Sequence, residues 1–327
     1  MHFDGILFFP VTAYDASGAV DTGLTREHIA SRLPHRPGGV FAACGTGEYH
    51  ALTAKEAGAV VRAAVDAVQE GAAPGGTRVP VIGGTGGPLG HAIEAAKAAE
   101  DAGADGLLVL PPYLVNAPVA GLERYVEAIA AATSLELVVY HRANAKFTPD
   151  AVARLAADPQ IVGFKDGVGD IGVTQEVVLA VEATGRADFQ FFNGLLTAEL
   201  TQGAYRGIGM PLYSSAAFAM APEVANAHYR AYAAGDEARR RELLERFYRP
   251  LVALRDAVPG YGVSLVKAGV RLGGLPVGGV RPPLVDPSPE HLAELERILA
   301  VGAELAAAEP AAGPAGSLVG TDALTVS

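Results

Sequence analysis

Short apolar runs alternate with helical segments along the chain, and this alternation is the feature that most restricts the fold. Eight runs rich in Val, Ile, Leu and Phe are candidate strands, at 5–12, 39–45, 79–86, 105–112, 135–141, 161–167, 189–194 and 206–213. Short continuous apolar runs are typical of strands buried on both faces, as in parallel sheets. Helical patterns separate them, as at 52–70, where apolar residues recur every 3.6 residues and Thr53 with Glu56 forms a capping box.

Eight strands, each followed by helical or helix-compatible sequence, predict an α/β fold of the (β/α)8 TIM-barrel type over residues 1–215. Strand signals stop there, so we expect residues 216–308 to form a C-terminal helical addition packed on the barrel. Residues 309–327 are small and weakly patterned, which predicts a flexible tail. A doubly wound open sheet is the alternative, but no G-x-G-x-x-G sits at a strand-to-helix turn.

Composition excludes several classes of partner. The net charge of −11 disfavours a nucleic-acid partner and implies that an anionic substrate must be captured by local cations. The single cysteine, Cys44, precludes a disulfide within the chain and fits a reducing compartment. No apolar run approaches the roughly 18 residues of a membrane span. We therefore expect a cytoplasmic protein without a membrane partner.

One candidate strand ends in a lysine, Lys165, although lysine is rarely buried without a partner. Strand alternation places Ile161, Gly163 and Lys165 on one face, and Phe164 on the other, against helices. Lys165 then points into the barrel near the end where barrel enzymes hold their sites. Burial lowers the pKa of an ammonium group, and a neutral amine attacks ketones, so Lys165 is a candidate for Schiff-base formation. A structural pairing with Asp166, or with a carboxylate across the barrel, is the alternative.

Further candidate catalytic and binding groups follow neighbouring strands. Tyr140 ends the fifth run and could exchange protons with a substrate held on Lys165, although a tyrosine packed at the barrel rim would look the same. After the second run, Gly45 and Gly47 would let the backbone approach a ligand. The hydroxyl of Thr46 between them could bond to a carboxylate or to Tyr140.

The remaining candidates are cations and polar groups at the same end of the barrel. Arg142 and Lys146 are the best local cations for an acidic substrate, although each could equally be a solvated loop charge. Other hydroxyls and amides at this end belong to Asn193, Gly194, Ser214 and Ser215. We interpret Glu48 as a structural anchor and Cys44 as a small buried residue. The eight histidines show no metal-ligand spacing, so we predict no metal.

Three of these features together resemble a known superfamily. "GTGE" after strand two, Tyr140 ending strand five, and "GFKDGVGD" on strand six resemble the Schiff-base lyases related to dihydrodipicolinate synthase and N-acetylneuraminate lyase, over about residues 3–305. "FFPVTAYD", "GGVFAACGTGEYHAL" and "VGFKDGVGD" are more similar to the 5-dehydro-4-deoxyglucarate dehydratase branch.

The resemblance implies a role for each matching residue. Lys165 would form the Schiff base with the 2-oxo acid group of the substrate, and Tyr140 would relay protons with the help of Thr46. Gly45, Thr46 and the amide of Gly47 would hold the carboxylate of that group.

The sequence departs from the synthase branch at three positions. Gly45 replaces the first of two adjacent threonines, and Leu114 stands where that branch has a tyrosine lent to a neighbouring subunit. The synthase arginine would align near Ala145, so Arg142 or Lys146 would have to bind a second carboxylate. The dehydratase branch explains these differences better.

The resemblance implies a decarboxylating dehydratase of glucarate catabolism. It would convert the sugar acid 5-dehydro-4-deoxy-D-glucarate to 2,5-dioxopentanoate, CO2 and water, without a cofactor, as a homo-oligomer (dimer or tetramer). One alternative is a Schiff-base aldolase or synthase acting on pyruvate or another 2-oxo acid. The other is a non-catalytic barrel that serves as a sugar-acid sensor or scaffold.

Overall fold

The computed structural model describes residues 1–72 and 78–308, and its strands close into one parallel barrel in the order β1 to β8. The strands are β1 (Leu7–Phe8), β2 (Gly39–Ala42), β3 (Val81–Gly87), β4 (Gly106–Pro112), β5 (Glu136–His141), β6 (Ile161–Asp166), β7 (Gln190–Asn193) and β8 (Leu212–Ser215). β1 pairs in parallel with both β2 and β8, which closes the ring. The predicted (β/α)8 fold is confirmed.

Helices alternate with the strands and then continue beyond β8. In the described part of the chain the α-helices are α1 (Thr22–Arg32), α2 (Ala54–Gly71), α3 (Leu89–Asp101), α4 (Val119–Ala130), α5 (Pro149–Leu155), α6 (Ile171–Glu182), α7 (Gln202–Gly207), α8 (Ala217–Met220), α9 (Pro222–Ala234), α10 (Glu237–Leu243), α11 (Arg249–Arg255), α12 (Tyr261–Leu272) and α13 (Pro289–Ala307). Thr53 caps α2 in the predicted capping box. None of these helices is both long and apolar enough to cross a membrane.

The division of the chain at residue 215 stays a prediction. β8 ends there and α8 to α13 follow, with a break between α9 and α10 at Gly235 and Asp236. The proposed tail, 309–327, lies outside the described residues.

The eighth strand lies later than predicted. Residues up to Gly207 belong to α7, and Gly209, with a φ of 87°, turns the chain after the helix. The amide of Met210 then donates a hydrogen bond to the carbonyl of Tyr205. The apolar stretch 206–210 therefore forms the C-terminal end of α7 and the turn after it. The strand begins only at Leu212 and includes the residues that were expected to follow it.

The face predicted for Ile161 in β6 is wrong, because a β-bulge shifts the alternation of side chains. The pairing of β6 with β5 moves from Ile161 directly to Gly163, which leaves Val162 as an extra residue. Val162 therefore packs inside the barrel and Ile161 packs between strands and helices, opposite to the expectation for Ile161. Beyond the bulge the predicted alternation holds, with Phe164 outward and Lys165 inward.

Aromatic side chains fill the barrel interior below the C-terminal ends of the strands. Ring centroids of Phe3 and Phe41 lie 5.4 Å apart, and the ring of Phe192 lies 6.2 Å from the first and 5.8 Å from the second. These rings belong to the apolar cluster that also contains Tyr140. Open space in the barrel therefore remains at the C-terminal ends of the strands, where enzymes with a (β/α)8 barrel hold their active sites.

Candidate active site

A cavity of about 780 Å³ lies at the C-terminal ends of the strands. Loops that follow β2, β3, β4, β5 and β7 form its walls, together with the end of β8 and the first turn of α12. It is lined by seven of the residues that the sequence predicted for the site: Gly45, Thr46, Tyr140, Arg142, Lys165, Gly194 and Ser214. The structure therefore brings together residues from five different strands or their loops.

Lys165 lies at the cavity among aromatic faces and is only 4% exposed. Its Nζ lies 3.9 Å from the ring centroid of Phe9, 4.4 Å from that of Tyr140 and 5.9 Å from that of Phe192. Within residues 1–72 and 78–308, no carboxylate forms an ion pair with this ammonium group. Burial lowers the pKa of Lys165 to about 7, so a large fraction of the amine is neutral near physiological pH.

The alternative in which Asp166 neutralises Lys165 is wrong. The carboxylate of Asp166 accepts hydrogen bonds from the amides of Val168, at 3.0 Å, and Gly169, at 3.1 Å. It also accepts one from the hydroxyl of Tyr205. Asp166 thus faces away from the cavity and organises the turn after β6.

Tyr140 lies beside Lys165, because the two residues are paired in register across β5 and β6. Its hydroxyl donates to the carbonyl of Gly194 at 2.9 Å and accepts a bond from Nη1 of Arg142 at 2.9 Å. Burial raises the pKa of Tyr140, so the phenol holds its proton at neutral pH and can donate it. No hydrogen bond joins Thr46 to Tyr140 in the structure, and the assisting role of Thr46 stays a prediction.

Two glycines make room for these side chains. A Cβ added at Gly194 would collide with Cε and Cγ of Lys165. A Cβ added at Gly167 would lie 2.7 Å from Cε2 and 2.9 Å from the hydroxyl of Tyr140. Both positions therefore require glycine for the observed placement of the amine and the phenol.

The loop after β2 presents Gly45 and Thr46 to the cavity. It is closed by a bond from the amide of Glu48 to the carbonyl of Gly45, at 3.1 Å. Gly47 lies below the lining, where its carbonyl accepts a 2.6 Å bond from Oγ1 of Thr12. Its predicted contact with a substrate carboxylate is not tested by the structure.

The structure separates the two candidate cations. Arg142 lines the cavity and is half-buried, and within the described residues its guanidinium pairs with no carboxylate. Reciprocal backbone bonds between Arg142 and Ala145, of 3.1 and 2.8 Å, close a turn. Lys146 follows this turn, is exposed and does not line the cavity. Arg142 is the better candidate for an acidic group of the substrate.

Two predicted polar residues point away from the cavity. The side-chain amide of Asn193 donates to Thr201 Oγ1 at 2.9 Å and to other acceptors of the same region. Oγ of Ser215 donates to Glu199 at 2.5 Å. Ser214, in contrast, lines the cavity and donates to the carbonyl of Asn193 at 3.3 Å. The side chains of Asn193 and Ser215 therefore support the site without reaching it.

The interpretations of Cys44 and Glu48 agree with the structure. Cys44 is fully buried, and burial raises the pKa of its thiol to about 12, which leaves no thiolate at neutral pH. Glu48 is fully buried and forms an ion pair with Lys267 at 2.7 Å.

Several lining residues were missed by the sequence analysis, among them Phe9, His50, His91 and Tyr113. The alternation of β1 could have indicated Phe9, which packs with the interior cluster. The two histidines come from the loop after β2 and the first turn of α3. His50 lies in the stretch that carries the family resemblance and could have been found there, whereas His91 has no motif around it. No group of three or more potential ligands among the described residues is arranged to hold a metal ion.

Comparison with known proteins agrees with this geometry. The family model for the dihydrodipicolinate synthetase family matches residues 2–301. A relative from Streptomyces griseus, named "probable 5-dehydro-4-deoxyglucarate dehydratase", is 53% identical over 94% of this chain and 95% of its own length. One from Paracidovorax citrulli with the same name is 40% identical over 90% of this chain and 94% of its own length.

Solved structures show the same fold. Dihydrodipicolinate synthase from Bacillus anthracis superposes with a TM-score of 0.80 at 25% identity, covering 92% of this chain and 98% of that one. A prophage protein of the dihydrodipicolinic acid synthase family from Escherichia coli K12, solved with pyruvate, gives 0.80 at 26% identity over 93% and 99%. The matched length, the closed barrel and the buried lysine together establish that this chain belongs to the dihydrodipicolinate synthetase family.

Proposed function

We propose that this chain is a decarboxylating dehydratase that converts 5-dehydro-4-deoxy-D-glucarate to 2,5-dioxopentanoate, CO2 and water through a Schiff base on Lys165. The observation that carries the chemistry is the buried amine of Lys165, which has no carboxylate partner among the described residues and whose pKa is lowered to about 7 by burial. The choice of reaction within the family is supported by the relatives named for this dehydration.

The reaction follows from the imine. The neutral amine adds to the ketone and loses water, which gives an iminium ion that accepts electrons. Loss of a proton from the adjacent CH2 gives an enamine, which expels the hydroxyl group one carbon further on as water. The electrons of the bond to the distal carboxylate then flow into the conjugated iminium as CO2 leaves. Proton return and hydrolysis release the product and restore the amine.

The chain's own groups fit these steps. The phenol of Tyr140, bonded to Gly194 and Arg142, is placed beside the amine to give and take the protons of imine formation and elimination. The loop at Gly45 and Thr46 would hold the carboxylate next to the ketone, and Arg142 would bind an acidic end of the substrate.

The proposal is tested with purified protein and 5-dehydro-4-deoxyglucarate. We expect stoichiometric CO2 and 2,5-dioxopentanoate, measured by CO2 capture and by mass spectrometry of the product. Release of pyruvate without CO2 would identify an aldolase instead. Absence of any borohydride-trapped adduct with a panel of 2-oxo acids would favour a non-catalytic barrel.

The pH dependence of imine formation should report the lowered pKa of Lys165. Only the neutral amine attacks, so the trapping rate with subsaturating pyruvate and cyanoborohydride should rise about tenfold per pH unit below pH 7 and level off above it. A lysine with the ordinary pKa of about 10.4 would give a rate that still rises at about pH 9. That profile would contradict the burial argument.

Arg142 and Lys146 should differ in their effect on substrate binding. We expect Arg142→Ala to raise KM for 5-dehydro-4-deoxyglucarate by about 10- to 100-fold, because a charge-assisted bond to a carboxylate is lost. The exposed Lys146 lies off the cavity, so Lys146→Ala should change KM far less. Steady-state kinetics of the two variants decides between them, and a larger effect at Lys146 would reverse the assignment.

Gly194→Ala should impair imine formation without removing the amine. The added methyl group would occupy the space of the Lys165 side chain, so we expect a loss of about 100-fold in the trapping rate with pyruvate. Gly207→Ala is the matched control, because a Cβ there meets nothing within 4 Å. Equal trapping rates for both variants would show that Lys165 adapts freely.

We also propose a homo-oligomer in the cytoplasm. Tyr113 and Leu114 line the cavity and yet are 62% and 79% exposed, and Val115 beside them is 61% exposed, which suits an apolar contact between copies. The single cysteine fits a reducing compartment. Light scattering on the intact chain measures its oligomeric state, and cell fractionation tests its location.

A further inference from the structure

A second buried lysine, Lys267 in α12, lies outside the cavity. It is fully buried, its Nζ donates to Oε1 of Glu48 at 2.7 Å, and the same nitrogen lies 3.7 Å from the ring centroid of Tyr14. Unlike Lys165, it has a carboxylate partner. A buried ion pair is often no more stabilising than a well-packed apolar pair, so stability alone does not explain it.

The partner of Lys267 belongs to the loop that faces the cavity. Glu48 directly follows the stretch Gly45–Gly47 and closes it through its own amide. It also adopts a left-handed backbone conformation with a φ of 58°, which is costly for a residue other than glycine. The second carboxylate oxygen of Glu48 accepts a 2.8 Å bond from the amide of Arg281. The Glu48 carboxylate is thus held by both Lys267 and Arg281, and it fixes the strained backbone at the end of the loop.

The two partners of Glu48, Lys267 and Arg281, both come from the C-terminal part of the chain. Gly262 and Val263, in the first turn of α12, line the cavity, and Lys267 lies about one helical turn beyond Val263 on the same face. The guanidinium of Arg281 donates to the carbonyl of Ala51, at 2.8 Å, just after the loop. The same helix therefore contacts the cavity and holds the loop beside it.

We propose that the Glu48–Lys267 ion pair is a positioning pair that holds the loop Gly45–Gly47 in the geometry needed to receive the carboxylate of a 2-oxo acid. Helix α12 and the segment that carries Arg281 then contribute to substrate binding as well as to the fold. The identity of the bound group rests on the proposed function, since the loop is assigned to the carboxylate beside the ketone.

The test uses pyruvate as the probe and borohydride trapping on Lys165 as the readout. The variant Glu48→Gln/Lys267→Met removes both charges together, so neither is left buried alone. We expect this variant to unfold cooperatively on heating, with a pyruvate concentration for half-maximal trapping raised about tenfold and trapping at saturation retained. A folded double variant with wild-type half-saturation would overturn the positioning role.

Arg271→Gln is the matched control on the same helix. Arg271 pairs with Asp286 at 2.8 Å and with the carbonyl of Gly278, and it does not contact the loop. Its loss should lower the melting temperature without changing half-saturation. An equal rise in half-saturation for Arg271→Gln would show a general effect of loosening α12 and would contradict the specific role of the pair.

Two further measurements separate a folding defect from loss of the positioning role, and failure of this proposal from failure of the proposed function. If the double variant does not fold, Glu48→Asp keeps the charge but shortens the side chain, and it should raise half-saturation while the protein still folds; unchanged half-saturation overturns the proposal. A wild-type protein that traps pyruvate but releases no CO2 from 5-dehydro-4-deoxyglucarate contradicts the proposed function alone. A wild-type protein that traps no 2-oxo acid contradicts both.

Discussion

Replacing Lys165 by alanine is expected to reduce kcat by at least about 10⁴-fold, which is effectively a complete loss of turnover. The amine is the atom that bonds to the ketone, and no neighbouring group can replace it. The second buried lysine, Lys267, is fully buried against Glu48 and does not line the cavity. CO2 release and borohydride trapping should therefore disappear together, and both are measured on the same preparation.

The control for Lys165→Ala is Lys97→Ala. Lys97 is exposed on α3 and does not line the cavity, so its variant should keep the activity and the trapped adduct of the wild-type protein. Melting curves should show both variants folded, since Lys165→Ala removes a buried group that has no ion-pair partner among residues 1–72 and 78–308. Substantial turnover in Lys165→Ala would exclude the Schiff-base mechanism.

The position of Lys165 could be predicted from the sequence with two simple rules. Side chains alternate between the two faces of a strand, and barrel enzymes hold their active sites at the C-terminal ends of the strands. The same rule failed for Ile161, since a β-bulge at Val162 shifts the alternation earlier in the strand. A bulge depends on the pairing with β5, which no local pattern in β6 reveals. The prediction for the lysine held because the bulge precedes it.

Alternation also could have separated the polar residues that the sequence analysis placed together. Phe192 packs inside the barrel, so the next residue, Asn193, must face the helices. Ser214 and Ser215 are neighbours in β8, so only one of them can reach the cavity. The eighth strand was predicted to end at residue 213, which placed both serines beyond it, whereas β8 spans Leu212–Ser215.

Other features of the site depend on contacts between distant parts of the chain. Gly194 accommodates Lys165, and Gly167 accommodates Tyr140, but a glycine in the sequence does not say which side chain needs its space. The pair of Glu48 and Lys267 joins residues 219 positions apart. Such constraints become visible only when the barrel is closed and the C-terminal helices are in place.

Tyr140→Phe is expected to reduce kcat by about 10³-fold while leaving the amine able to form an imine slowly. The substitution removes only the hydroxyl, which is bonded to Gly194 and Arg142 and lies beside Lys165. Because burial raises the pKa of Tyr140, this phenol carries a proton at neutral pH. Its ring lies beside the amine, so it can supply the proton to the carbinolamine as water leaves. Single-turnover trapping with pyruvate and steady-state CO2 release measure the two effects separately.

The matched control for Tyr140→Phe is Tyr229→Phe, which removes the hydroxyl of a buried tyrosine in α9 away from the cavity. It should have wild-type kinetics, whereas Tyr140→Phe should still yield the trapped adduct at long times. This pattern would separate a proton-transfer role from loss of the site, because a collapsed cavity would abolish the adduct as well. If Tyr140→Phe kept a kcat within a few-fold of wild type, the protons would have to come from another donor, and Tyr140 would be reduced to a packing residue beside the amine.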